Sequence, residues 1–240
     1  MSVASLSPDL LKYSKSRHPE PPPHLGTRYD VSGEFQYEPG NTIICHVVEG
    51  SRTQEVLIDA RARFLAMPEA ARLTFTPISS LHMTLFQGII EYRRKPLFWP
   101  AGLPYDTSID EMTDVMLERL SAFPSQDPFK VAVTHARPTG LMVEGATGAD
   151  RRIMRSWRDA FADLLGYRHP DHDEYAFHIT FDYVIERLED EALPRWQQML
   201  DEVAADIRER SPILELQPPA FCSFDDMNHF EELLVFDFKP

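Results

Sequence analysis

The sequence predicts an α+β fold built from a doubled unit, and three observations carry that prediction. Strand-like and helix-like segments alternate from Asn41 to Pro240; helix-start signals recur at Ser51 and Thr147; and a His-x-Thr triplet follows each of them, at His82-Met83-Thr84 and His178-Ile179-Thr180. The spacing is 96 residues in both cases, from Ser51 to Thr147 and from His82 to His178. At 240 residues, 43% hydrophobic and 26% charged, the chain has the composition of a folded globular protein with a sizeable core.

Residues 1–40 stand apart. Pro19, Pro21, Pro22, Pro23 and Pro39, with Gly26, Gly33 and Gly40, predict an N-terminal arm, extended at the triple proline, with at most two helical turns over residues 9–13. Residues 41–240 read as one domain with repeat halves 41–136 and 137–240. Its first strand covers 41–48. Ser51 and Gln54 form a capping box ahead of Val56, Leu57, Ala60 and Phe64 at helical spacing. Residues 73–90 are strand-like with a break at Pro77-Ile78-Ser79-Ser80, and 91–107 form an insertion. Ser108 and Glu111 then cap a helix carrying Ile109, Met112, Met116 and Leu120. Short strands at 129–134 and 141–144 flank an Arg-Pro-Thr-Gly turn. A third helix spans 150–165, with Trp157 and Phe161 on its apolar face and Gly166 as its stop. Residues 175–185 predict a strand, Pro194 opens a helix that ends before Pro212, and 213–216 and 232–238 predict closing strands.

Charge and cysteine usage bound the function. With 24 Lys+Arg against 38 Asp+Glu, the formal net charge of −14 repels polyanions and anionic membranes, so extensive nucleic-acid or membrane binding is excluded. A small anionic ligand, met by a local basic site, is compatible with it. No apolar run has the length of a membrane span or a signal peptide. Cys45 and Cys222, the two cysteines, form neither a disulfide framework nor a thiolate metal site. A cytoplasmic location is expected.

Both triplets sit in apolar strand frames, Leu81-His-Met-Thr-Leu85 and Phe177-His-Ile-Thr-Phe181. Residues i and i+2 share a strand face, so His82 with Thr84, and His178 with Thr180, point away from their apolar neighbours. If the halves pack about a pseudo-twofold axis, the polar faces meet around one small volume. Two imidazoles supply a base and an acid near neutrality, and hydroxyls hold non-bridging oxygens without adding charge; that set suits a phosphodiester and calls for no metal or other cofactor.

These motifs resemble the 2H (two-histidine) phosphoesterase superfamily, marked by paired His-hydrophobic-Thr/Ser motifs, and the resemblance extends from Asn41 to about Phe238. It implies a duplicated bilobal fold, with two antiparallel-rich sheets flanked by helices and a cleft between pseudo-twofold-related lobes. It also implies hydrolysis or formation of cyclic or 2′,5′ phosphodiester bonds, with His82 and His178 catalytic and Thr84 and Thr180 binding phosphate. The run from His82 to Gly88 matches a full first motif. After the second, the chain continues Asp182-Tyr183 where RNA cyclic phosphodiesterases often have Gly-Arg. That departure points away from an RNA end and toward a bacterial branch without an assigned substrate. The expected ligand is a small phosphodiester or nucleotide, with a short RNA end as the alternative.

Other readings stand beside this one. His46, His135, Tyr175 and Tyr183 are candidates to line the cleft, and each also reads as core packing with a satisfied polar atom. Arg137 and the run Arg93-Arg94-Lys95 could meet phosphates but read more simply as solvated loops. His169, His172, Asp173 and His178 form a rival metal set whose spacing fits no zinc-protease pattern. A binding module that recognises a phosphorylated nucleotide or RNA terminus without turnover is the alternative function.

Overall fold

The computed structural model describes residues 6–239. The first five residues of the expected arm lie outside that range. The chain forms an α+β structure whose larger sheet has seven strands, all antiparallel to their neighbours. In chain order the elements are helix α1 (Pro8–Leu11), strand β1 (Gly40–His46), helix α2 (Arg52–Leu65), strands β2 (Leu73–Phe75) and β3 (His82–Ile90) and helix α3 (Ile109–Leu120). Strands β4 (Val131–Arg137) and β5 (Gly140–Gly145), helix α4 (Gly148–Leu165), and strands β6 (His178–Thr180) and β7 (Asp182–Val184) follow. Helix α5 (Leu193–Arg210) and strands β8 (Ala220–Phe224) and β9 (Glu231–Val235) close the chain. The large sheet runs β4-β5-β6-β3-β1-β8-β9, and β2 pairs with β7 in a separate ribbon.

The helices start where short polar side chains satisfy orphan N–H groups. Ser108 and Glu111 close a full capping box on α3, as do Thr147 and Asp150 on α4. On α2, Ser51 accepts from the Gln54 N–H, but the Gln54 carboxamide reaches back to Gly50 N–H, one residue earlier than a capping box would. Gly166 ends α4 in the left-handed conformation at φ 80°. The apolar faces of α2, α3, α4 and α5 join the inward side chains of the sheet in one core centred on Trp157, Trp196, Phe161 and Phe181.

Three expectations change. The two motif strands do not belong to separate sheets facing one another. They are neighbours in one sheet, joined at Met83 and Ile179, so each covers what would otherwise be an open edge of the other. Residues 175–185 are not one strand. The chain breaks at Phe181, whose N–H donates to the Thr139 carbonyl and whose own carbonyl accepts from Thr76 N–H, and β7 then leaves to pair with β2. The closing pair is β8 and β9; residues 213–216 make only isolated bridges, Leu214 to Val131 and Leu216 to Val47. Both segments are short apolar runs near prolines, which strand patterning alone does not separate.

The described part of the arm packs on the body. Leu10 and Tyr29 are buried, the Tyr29 hydroxyl donates to the Val184 carbonyl at 2.6 Å, the Tyr13 hydroxyl meets Thr139 at 2.9 Å, and Ser14 donates to Asp190 at 2.6 Å.

Candidate active site

Alternation on the two central strands builds the site. Leu81, Met83, Leu85, Ile179 and Phe181 are buried on the core side, which turns His82, Thr84, His178 and Thr180 to the other face. The antiparallel register about Met83–Ile179 brings His82 level with Thr180, and Thr84 level with His178. The histidines thus sit on a diagonal, a placement that sheet geometry spaces at about 7–8 Å between backbones. All four side chains line one cavity of about 430 Å³.

Each ring is held in the same way. His82 Nδ1 lies 2.6 Å from the Ser80 carbonyl, and His178 Nδ1 lies 2.9 Å from the Ala176 carbonyl, in both cases two residues upstream. A carbonyl only accepts, so Nδ1 carries the hydrogen and Nε2 of the neutral ring is left as a lone pair. Burial pushes the pKa of His82 down to about 4, with His46 and His178 adding to the fall and the Ser80 carbonyl opposing it. Burial also pushes His178 to about 4, followed by Arg137 and, more weakly, Arg28, with the Ala176 carbonyl opposing. Both rings are therefore neutral at pH 7, and a bound anion is needed to hold a proton on either.

The surroundings of the two rings differ. His82 packs against Phe230, with ring centroids 4.3 Å apart, and against His46 at 6.2 Å. His178 faces the guanidinium groups that depress it. Tyr175 and Tyr183 line the cavity, as expected. The Tyr175 hydroxyl is buried without a hydrogen-bond partner, and burial raises its pKa to about 12. The Arg158 guanidinium lies 4.2 Å from the Tyr175 ring centroid and donates to the Leu85 and His172 carbonyls, bracing that wall from behind.

His46 and His135 do not line this cavity. His46 opens onto a second cleft with Glu49 and Glu232, and touches the site only through the His82 ring. His135 is exposed and bonded to Asp9 at 2.9 Å. A bulge between Val133 and His135 resets the alternation of β4 and turns that ring outward.

The cationic wall is larger than the sequence suggests: Arg137 and Arg93 read there as phosphate contacts or, more simply, as solvated loops, and nothing singles out Arg28 or Arg187. Arg28, Arg93, Arg137 and Arg187 line the cavity against one carboxyl group, Asp182, which inverts the overall acidic balance of the chain. Arg137 and Arg93 are not solvated loop residues: the Nε of each is buried without a partner. Lys95 is exposed, as the surface reading has it, whereas Arg94 is partly buried and ties the 91–107 insertion together through Glu91 and the Tyr105 and Thr107 carbonyls. Asp182 is fully buried with both oxygens unpartnered, and burial raises its pKa well above the carboxylate range while Arg61 and Arg137 draw it back.

The rival metal set is dispersed. His178 faces the cavity, and His169 Nδ1 meets the Gln87 carboxamide oxygen at 2.6 Å. His172 and Asp173 gather with Asp159, where Arg168 donates to the Asp159 carboxylate at 2.8 Å.

A family profile described as 2H-phosphodiest, Domain of unknown function (DUF1868), matches residues 28–142, a span that holds the first motif. A crystal structure of a conserved protein of unknown function from Agrobacterium tumefaciens str. C58 is 54% identical, covers 97% of this chain and 100% of its own, and superposes with a TM-score of 0.95. A protein from Thermus thermophilus aligns at 15% identity over 82% of this chain and 96% of its own, with a TM-score of 0.44, too low to carry an argument. No curated protein matches. With the profile spanning the first motif and the Agrobacterium protein matching nearly end to end, this chain belongs to the 2H-phosphodiest family of the 2H phosphoesterase superfamily.

Proposed function

We propose that the protein is a metal-independent phosphodiesterase acting on a small cyclic or 2′-linked phosphodiester of nucleotide or RNA-end type. One observation carries the reading: two Nε2 atoms, locked in the same tautomer by carbonyls two residues upstream, belong to rings that line one cavity on neighbouring strands. The family's name points to the same chemistry. A phosphoryl group between the rings accepts hydrogen bonds from the Thr84 and Thr180 hydroxyls and from Arg137. One Nε2 takes the proton of the attacking water as its oxygen bonds to phosphorus. The other, protonated once the anion is bound, gives its proton to the leaving alkoxide as the P–O bond breaks. Each transfer is worth ~10²–10⁴-fold.

Metal independence is supported by the charge of the wall: two Nε2 lone pairs face the cavity, but Arg28, Arg93, Arg137 and Arg187 line it with them and burial favours the protonated form of Asp182. A divalent cation would meet positive charge with no carboxylate among the described lining residues to offset it. The duplicated, bilobal reading with one domain over 41–240 is supported by the sheet order. From the β3–β6 junction, β6-β5-β4 and β3-β1-β8 run outward in matching succession, with β9 added at one end. A cytoplasmic location is supported by two free, buried cysteines. Among the described residues no helix is long and apolar enough to cross a membrane.

The test is a screen of 2′,3′-cyclic nucleotides, ADP-ribose 1″,2″-cyclic phosphate and 2′,5′-linked oligonucleotides in excess chelator, with the His82→Ala/His178→Ala protein as control. Turnover by the unaltered chain alone is expected, with a bell-shaped pH profile from two groups. Saturable binding without turnover would identify a binding module instead, and activity that dies with chelator would overturn metal independence.

A further inference from the structure

We propose that the cavity holds a second anionic subsite, formed by Arg93 and Arg28, which takes a terminal phosphate of a nucleotide whose other phosphate lies between the histidines. The inference rests on the phosphodiester reading and narrows its substrate class to nucleotides that carry two phosphate groups.

Arg93 and Arg28 enter the cavity from outside the two motif triplets, one from the turn that follows β3 and one from the arm. Among the described residues Arg93 forms no ion pair and its side chain donates no hydrogen bond; its Nε is buried without a partner, and its guanidinium rests 4.9 Å from the Phe98 ring centroid. A guanidinium nitrogen removed from water without an acceptor is costly, and an anion at the cavity face of Arg93 would supply the acceptor that its group lacks. Arg28 is partly served, donating to Glu38 at 2.6 Å while lying 5.3 Å from the Tyr183 ring centroid. Both act on His24, whose pKa falls to about 4 through burial, then Arg28, then Arg93, so the two cations share one neighbourhood. Glu38 pairs with Arg28, whereas Asp171 and Glu38 act on Arg93 without forming an ion pair with it, so Arg93 has no carboxylate in contact among the described residues.

Arg137 stands nearer the motifs than Arg28, which reaches His178 more weakly. It is the charge that most depresses His178 and it acts on Asp182 and Tyr13, so it serves the phosphoryl group at the motifs. The cavity volume of about 430 Å³ falls in the range for nucleotide-sized ligands, ~300–1,000 Å³. Planar, forked guanidiniums are suited to a terminal phosphate, with three oxygens available. The acidic remainder of the surface disfavours a long polyanion, which points to a compact ligand.

Isothermal titration of the full chain with adenosine 3′-monophosphate and adenosine 3′,5′-bisphosphate, at fixed salt, tests the subsite without requiring turnover. The bisphosphate is expected to bind about tenfold or more tightly. Arg93→Gln should remove that advantage while leaving the monophosphate affinity within about twofold. Equal affinities in the unaltered chain overturn the second subsite alone, and the ratio decides this even where the glutamine variant fails to fold. Equal weakening of both ligands by Arg93→Gln, with an unchanged melting curve, also overturns it, because Arg93 would then serve the first phosphate. A chain that binds neither ligand overturns the phosphodiester reading, and the subsite with it.

Discussion

Strand β3 runs for nine residues between two neighbours, whereas β6 has three residues and stops at Phe181, where the chain leaves for another sheet. The same triplet thus stands in a continuous frame once and in an interrupted one once. The chemistry around the rings follows the same division. His82 meets Phe230 and His46, an uncharged wall, while His178 meets the field of Arg137 and Arg28. Identical tautomer locks and unlike fields teach that the motif orients a ring but does not assign it a task. A phosphate between the rings raises the proton affinity of both, and the arginines oppose that rise mainly at His178. On the proposed phosphodiester reading, this difference predicts His82 as the acid and His178 as the base.

The largest expected effect breaks or secures this division. His82→Ala and His178→Ala should each lower kcat/KM by ~10²–10⁴-fold on an alkoxide-releasing diester. With a p-nitrophenyl leaving group, which needs no proton, His82→Ala should recover most of its loss and His178→Ala none. Recovery in both variants, or in neither, would end the assignment.

Smaller effects probe the frames. A Cβ on Gly140, where φ is +130°, would lie 2.2 Å from the Ile179 carbonyl oxygen, inside the second motif. Gly88 has no such backbone constraint, although a Cβ there would lie 2.1 Å from the Asn41 carbonyl oxygen. Gly140→Ala combines clash with strain and should cost about 2–4 kcal/mol in urea denaturation, more than Gly88→Ala. An equal or reversed order would show that the short strand is no less tolerant than the long one.

Asp182→Asn should give the smallest change and in the opposite direction. The buried carboxyl has a folded pKa raised above its unfolded value of 3.8, so its contribution to stability is full below that value and is lost as pH rises through the folded pKa. Asparagine keeps the shape of the protonated acid and does not titrate. A rise of a few degrees in Tm is expected at pH 7–8, fading below about pH 4. A fall in Tm at pH 7 would mean that the carboxylate is held ionised beside Arg61 and Arg137.

Much of this was legible in the residues, for local reasons. Ser108, Thr147 and Gly166 mark helix ends through bonds and backbone angles made within a few positions, and Leu81 to Leu85 reveal their faces by simple alternation. What could not be read depends on distant partners. Nothing near Arg93 in sequence distinguishes it from Arg94, yet one is turned to the cavity and the other is paired with Glu91. Arg28 looks like part of a loose leader until Tyr29 is found tied to Val184. His135 misleads because a bulge, invisible in a short strand pattern, reverses its direction. The juxtaposition of β3 with β6 is likewise a matter of which edges meet, and edge pairing has no signature inside either triplet.

The leader segment has a practical consequence. Pro22, Pro23, His24 and Arg28 form part of the cavity wall, anchored through the hydroxyl of Tyr29 to a carbonyl 155 positions further on. A chain trimmed at Asn41 would retain both histidines but lose one wall of the cleft in which they stand. Exchanging leaders among relatives would then be a way to retune which molecules are admitted while leaving the reacting groups untouched.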